Sequence, residues 1–150
     1  MHIDFIEVCA EHAYEVNREY CQALGDNSQP TWKDAPAWQR NSIRDGAFAV
    51  LHGVSNADRH AGWMHIKGSE GWKYGPVKDV ENKLHPCMLP YDRLPPAERF
   101  KDTLFAQSVR AAAYGEIIDH VNNLAELVST TFIVSEHNKG LRGLAERTSA

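Results

Sequence analysis

The sequence is poor in features that define whole classes of protein. It holds three cysteines, Cys9, Cys21 and Cys87, in 150 residues. They are odd in number and far apart, which argues against a disulfide framework and fits reduced thiols in a cytoplasm. No window holds about 18 consecutive apolar residues, so no segment reads as a transmembrane helix and no membrane partner is expected. The start, MHIDFIEVCAEHAYE, lacks a basic head followed by an apolar run and does not read as a signal peptide. Positive charge is not in surplus either. The net charge of -4 provides no field for a nucleic-acid polymer.

Motifs for chemistry are also missing. Gly68, Gly71 and Gly75 lie close together, but no Gly-Lys-Ser/Thr follows, so there is no P-loop. Gly-x-Ser-x-Gly, His-Glu-x-x-His and Cys-x-x-Cys are absent. Eight histidines invite a metal site. His60 and His65, five apart, point in well-separated directions on a helix, so neither a metal nor a cofactor is expected. His85 and Cys87, two apart, would share one face of a strand as a nucleophile and its base do. The sequence shows no oxyanion site for such a pair, and a buried filler is the competing role for the thiol.

What is present is an ordinary globular composition, 43% apolar and 24% charged, at the length of one domain. Helical spacing of Ile6, Cys9, Ala13, Val16, Tyr20 and Leu24 predicts a helix over 4–24, with Asp4 and Glu7 resembling a capping pair and Gly25 as its stop. A second helix is expected from Asp34 as cap to Leu51, with Pro36 in its first turn and Gly53 after its end. Ser55 and Asp58 mark a third, over about residues 56–67. Trp72-Lys73-Tyr74 alternates large and charged residues as a short strand does. Gly75-Pro76 turns it, and Cys87-Met88-Leu89 is the expected neighbour. Pro95 and Pro96 open a fourth helix, Gly115 interrupts it, and Ile117, Val121, Leu124, Val128 and Phe132 continue as a fifth. The resulting organisation is a domain over 1–115, a C-terminal helix over 116–137 suited to oligomerisation, and a flexible tail over 138–150. Trp32, Trp38 and Trp72 read as core pegs.

The sharpest candidate for function is a surface. His60, Trp63 and Lys67 sit at i, i+3 and i+7, one face of the third helix. An indole can stack on a nucleobase, and a cation beside it can meet a phosphate. The following loop adds Lys73, Lys78, Lys83 and His85. The plainer alternative makes Trp63 core and Lys67 a solvated charge.

Four runs of the chain resemble a known family: NREYCQALGD, WKDAPAWQRNSIRDG, GWKYGPVKD and HPCMLPYDRLPPAERFKD. Together they are similar to the ryanodine receptor repeat (RyR) domain, over about residues 9–114. That family occurs in calcium-release channels and as a stand-alone module in bacteria and phages. The resemblance implies an α+β, mainly helical fold. Helices would pack around a short antiparallel β-hairpin with long ordered loops pinned by Trp72, Tyr74, Pro86, Pro90 and Tyr91. It also implies a nucleotide cleft in which Trp63 stacks, flanked by His60, Lys67, His85 and Cys87, and a paired arrangement that a homodimer can recreate. Gly62 and Arg93 depart from the family's commoner residues, and Arg93 adds a positive charge near the cleft.

The expectation is therefore a non-catalytic module for a nucleotide or nucleotide-derived signal, a sensor or sequestering protein. Its binding residues are His60, Trp63, Lys67, Tyr74, Lys78, His85, Cys87, Tyr91 and Arg93. The alternatives are a protein-interaction module using the same Trp-bearing face, and a hydrolase, for which Asp79, Glu81 and Asp92 are the nearby acids.

Overall fold

The computed structural model describes the backbone of residues 3–148 and the side chains of residues 5–131. In order, the elements are α1 (Ile3–Ala23), α2 (Ala37–Leu51), α3 (Asn56–Ser69), β1 (Lys73–Tyr74), β2 (Leu84–His85), a 3-10 turn (Tyr91–Arg93) and α4 (Pro96–Thr148). The chain divides into two compact units, Met1–Ala113 and Tyr114–Ala150.

The first unit is an α+β body, mainly helical. Small residues on one stripe of α1, Cys9, Ala10 and Ala13, let Ala47 and Val50 of α2 approach closely. Phe105, Ala106, Val109 and Ala113 of α4 complete the core, with Tyr14 and Trp32. Trp32 belongs to the loop after α1, and polar bonds hold it down. Its indole N–H donates to Glu7 (3.2 Å) and its backbone N–H to Glu15 (2.5 Å). Glu7 is also gripped by the Arg44 guanidinium, which holds its carboxyl below the usual range. The chain leaves α1 through Gly25 at φ +90°, a left-handed position that favours glycine.

Several local expectations are corrected. The two strands pair in parallel, Lys73 with Leu84 and Tyr74 with His85, so the small sheet is not an antiparallel hairpin. Cys87-Met88-Leu89 is not the partner strand. The chain reverses twice between the strands. It doubles back after Gly75, then turns again through Asp79–Lys83, where the Asp79 carboxylate accepts from the Asn82 backbone (3.0 Å) and side chain (2.7 Å). An isolated antiparallel bridge between Asp79 and Leu84 closes this second turn, so β2 re-enters in the direction of β1. Only glycine fits at position 75, because a Cβ there would lie 2.7 Å from Leu84 Cβ.

Asp34 does not cap α2. Its carboxylate accepts from the Thr31 hydroxyl (2.7 Å), and Pro36 takes the cap position without a side-chain bond. Ser55 does cap α3, accepting from the Asp58 N–H (3.1 Å). Trp38 is 71% exposed and is no core peg; Trp72 is half-buried, and Tyr74 is too exposed to pin the loop. Gly115 does not interrupt α4. One glycine costs about 1 kcal/mol of helix propensity, which the preceding alanines offset. The side chains of Asp4 and Phe132, and all those of the expected tail 138–150, lie outside the described residues.

Candidate functional site

The site is built from α3 outward. His60 is buried, and its Nε2–H donates to the Leu89 carbonyl (2.8 Å), so this ring ties α3 to the loop before the 3-10 turn. That bond commits one of the two ring nitrogens of His60 to the fold. One helical turn on, Trp63 is half-buried and stacks on His60, with centroids 5.5 Å apart. His85 of β2 meets the Trp63 ring edge-on at 5.1 Å and Trp72 at 6.2 Å. Lys67 ends this aromatic row, its Nζ 5.7 Å over the Trp72 ring and paired with Glu70 at 2.7 Å. Trp63 is therefore neither core nor a bare platform: one side packs on histidines and the rest faces a cleft.

The cleft has a volume of about 580 Å³ and lies within the first unit. His60, Trp63, His85 and Cys87 line one wall, so four of the nine expected residues come together there. The facing wall is α4, with Glu98, Lys101, Asp102 and Phe105, joined by Arg59 of α3 and Asn17 of α1. The sequence reading missed these. The signal was available: positions 98, 101, 102 and 105 are i, i+3, i+4 and i+7, polar residues on the helix face that also carries core Phe105.

The other expected residues sit elsewhere. Tyr91 packs against His60 at 5.9 Å and belongs to a second hollow of about 680 Å³ on another side of α3. Its lining acids, Asp58 and Asp92, disfavour an anion there. Tyr74, Lys78 and Arg93 are exposed and do not line the cleft.

The cleft is electrostatically mixed. Arg59 donates to Asn56 (2.7 Å) and to the Asp102 carbonyl (3.3 Å), while its Nε is buried with no hydrogen-bond partner. Burial lowers the Arg59 guanidinium pKa, and the Asp102 charge opposes this. Asn17 Oδ1 is likewise buried and unpartnered. A ligand group that reaches these two atoms relieves a donor and an acceptor at once. Lys101 pairs with Glu98 (3.0 and 3.3 Å); burial works against its charge, but Glu98 more than offsets this and raises its pKa.

His85 Nδ1 accepts from the Cys87 backbone N–H (3.0 Å), which puts the proton of the neutral ring on Nε2. Burial lowers its pKa, and the fields of Lys78 and Lys67 add to the effect. His85 is thus turned to the Cys87 amide. The Cys87 thiol instead donates to Glu98 (3.5 Å), and burial, then Glu98, pushes its pKa up to about 12. This is the opposite of nucleophile activation. Iodoacetamide at pH 8 is expected to alkylate Cys87 roughly 100-fold or more slowly in the native chain than in urea, followed by mass spectrometry. Labelling at equal rates would contradict the buried thiol.

Burial likewise raises the Asp102 carboxyl, against the pull of Arg59 and His60. A carboxyl raised in the fold contributes stability below its unfolded value of 3.8, and that contribution is lost as pH rises through the folded value. Asp102→Asn is therefore expected to unfold at a higher temperature than the parent at pH 7, and the gap should narrow as pH falls towards 3.8. Thermal unfolding of both proteins across that range checks it. Among the described residues no group of three or more His, Cys, Asp or Glu can hold a metal ion, and no helix is long and apolar enough to cross a membrane.

In comparison with known families, residues 50–113 match the RyR domain. The match is shorter than the resemblance read from the motifs, and leaves out the runs at 17–26 and 32–46. It spans α3, both strands, the 3-10 turn and the first turns of α4, hence the Trp63 wall and the α4 wall of the cleft. Over this segment, the chain is similar to the RyR domain family.

Proposed function

We propose that the protein is a non-catalytic binding module for a nucleotide or a nucleotide-derived signal, acting as a homodimer that senses or sequesters it. The observation that carries this reading is Trp63, half-buried on the wall of a 580 Å³ cleft between two histidine rings. The base lies against the free part of the indole. His85 Nε2–H offers a donor beside it. Glu98 and Asp102 make the interior a poor place for phosphates, so these stay at the rim, where the fields of Lys67 and Lys78 already reach His85. Stacking contributes about 1–3 kcal/mol and each charge-assisted hydrogen bond about 1.5–3 kcal/mol, which together approach a micromolar Kd before ordering costs.

The test is isothermal titration with AMP, ATP, ADP-ribose and cyclic dinucleotides. Saturable binding of at least one supports the reading, and no heat from any at millimolar concentration sinks it. A second reading, docking of a protein partner on the same face, has one observation in its favour: Tyr74, Val77 and Val80 are exposed on the loop beyond Trp72. Binding to none of the nucleotides would shift weight to it.

A further inference from the structure

The second unit carries a surface that neither the cleft nor the RyR match accounts for. On α4, Tyr114, Ile117, Val121, Leu124 and Val128 follow one another at steps of three, four, three and four residues. This is the 3.5-residue spacing of side chains that interlock between helices. All five are between 48% and 69% exposed. Ile118 and Leu127 flank the seam and are also exposed. A contiguous exposed apolar stripe over about 22 Å of helix is the kind of surface that marks an interaction site.

Charge decides what covers it. No Lys or Arg occurs from Ala111 through Asn138. A membrane-surface helix relies on such residues to meet anionic lipid, so this one has no such attraction. Its acids, Glu116, Asp119 and Glu126, lie off the seam on the opposite side of the helix, where they do not meet across a paired seam. An apolar seam with no charge to repel its own image is self-complementary.

We propose that residues 114–128 form a homo-oligomeric helical interface whose occupant is a second copy of this chain. The exposed apolar flanks at Ile118 and Leu127 widen the seam and enlarge the area that two copies bury between them. The proposal rests on the homodimer of the proposed function and names its interface, but it needs no nucleotide and uses no cleft residue.

The test is sedimentation of the full chain, without ligand, beside the double variant Val121→Glu/Leu124→Glu. The parent is expected at a mass of two or more chains. The variant should associate about 100-fold more weakly, because each copy would bury unpaired carboxylates. Its thermal unfolding and helical circular dichroism should match those of a monomer-diluted parent. A second variant, Asp119→Lys on the far side, is expected to keep the parental mass. A monomeric parent at the highest soluble concentration overturns the proposal, as does an oligomer whose mass the double variant leaves unchanged. Flotation of a monomeric parent with neutral phosphatidylcholine vesicles would give the seam to lipid and overturn it as well. Titration of nucleotides into the double variant keeps the two readings distinct.

Discussion

Trp32→Ala is expected to cost about 3–5 kcal/mol. The ring is 6% exposed and packs on Tyr14 with centroids 5.5 Å apart. Its removal leaves a cavity where α1 and α2 meet. It also leaves Glu7 without one of its donors, although the Arg44 guanidinium still holds that carboxylate. Domains of this size are stable by about 5–15 kcal/mol, so the variant should lose a large part of its margin and melt roughly 10–20 °C lower. Urea unfolding followed by fluorescence gives the number. A loss under about 1 kcal/mol would mean that Trp32 is not what holds the loop to α1. Trp38→Ala is the internal control. At 71% exposure it should shift stability by no more than about 0.5 kcal/mol.

Trp63→Ala carries the second large effect, on binding. For any nucleotide that titrates, affinity should fall by 1–3 kcal/mol, about 5- to 150-fold. The fold should survive. Trp63 is only half-buried, and the His60 bond to Leu89 that anchors α3 does not depend on the indole. Trp63→Phe should recover part of the affinity, since a smaller flat ring still stacks. Calorimetry on the three proteins, with thermal unfolding as the fold control, makes the measurement. Unchanged affinity in Trp63→Ala would remove the base from this wall, whatever else the protein binds.

The cleft was half legible beforehand. Trp63 and His60 announce themselves by spacing on one helix, and His85 with Cys87 by standing in a proline-rich run. Arg59, Glu98, Lys101 and Asp102 are charged residues of the kind that normally meet water. Only the packing of α4 across α3 turns them inward, where burial raises Asp102 and lowers Arg59. Their effect also alters the chemistry expected of the site. Lysines near a stacking platform suggested phosphate contacts; the carboxylates on the facing wall make the interior of the hollow unfavourable to an anion.

Local chemistry written into the chain determined the helices and their ends. Ser55 caps α3, Gly25 and Gly53 follow helix ends at positive φ, and Pro96 opens α4, because caps and turns depend on a few adjacent residues. Tertiary structure alone decided the sense of the β1–β2 pair, the exposure of Trp38 against the burial of Trp32, and which charges share a cleft. Each of these is set by contacts between segments far apart in sequence. A residue's neighbours along the chain carry its propensity, while its partners across the fold settle whether it meets water, a ring or an opposite charge.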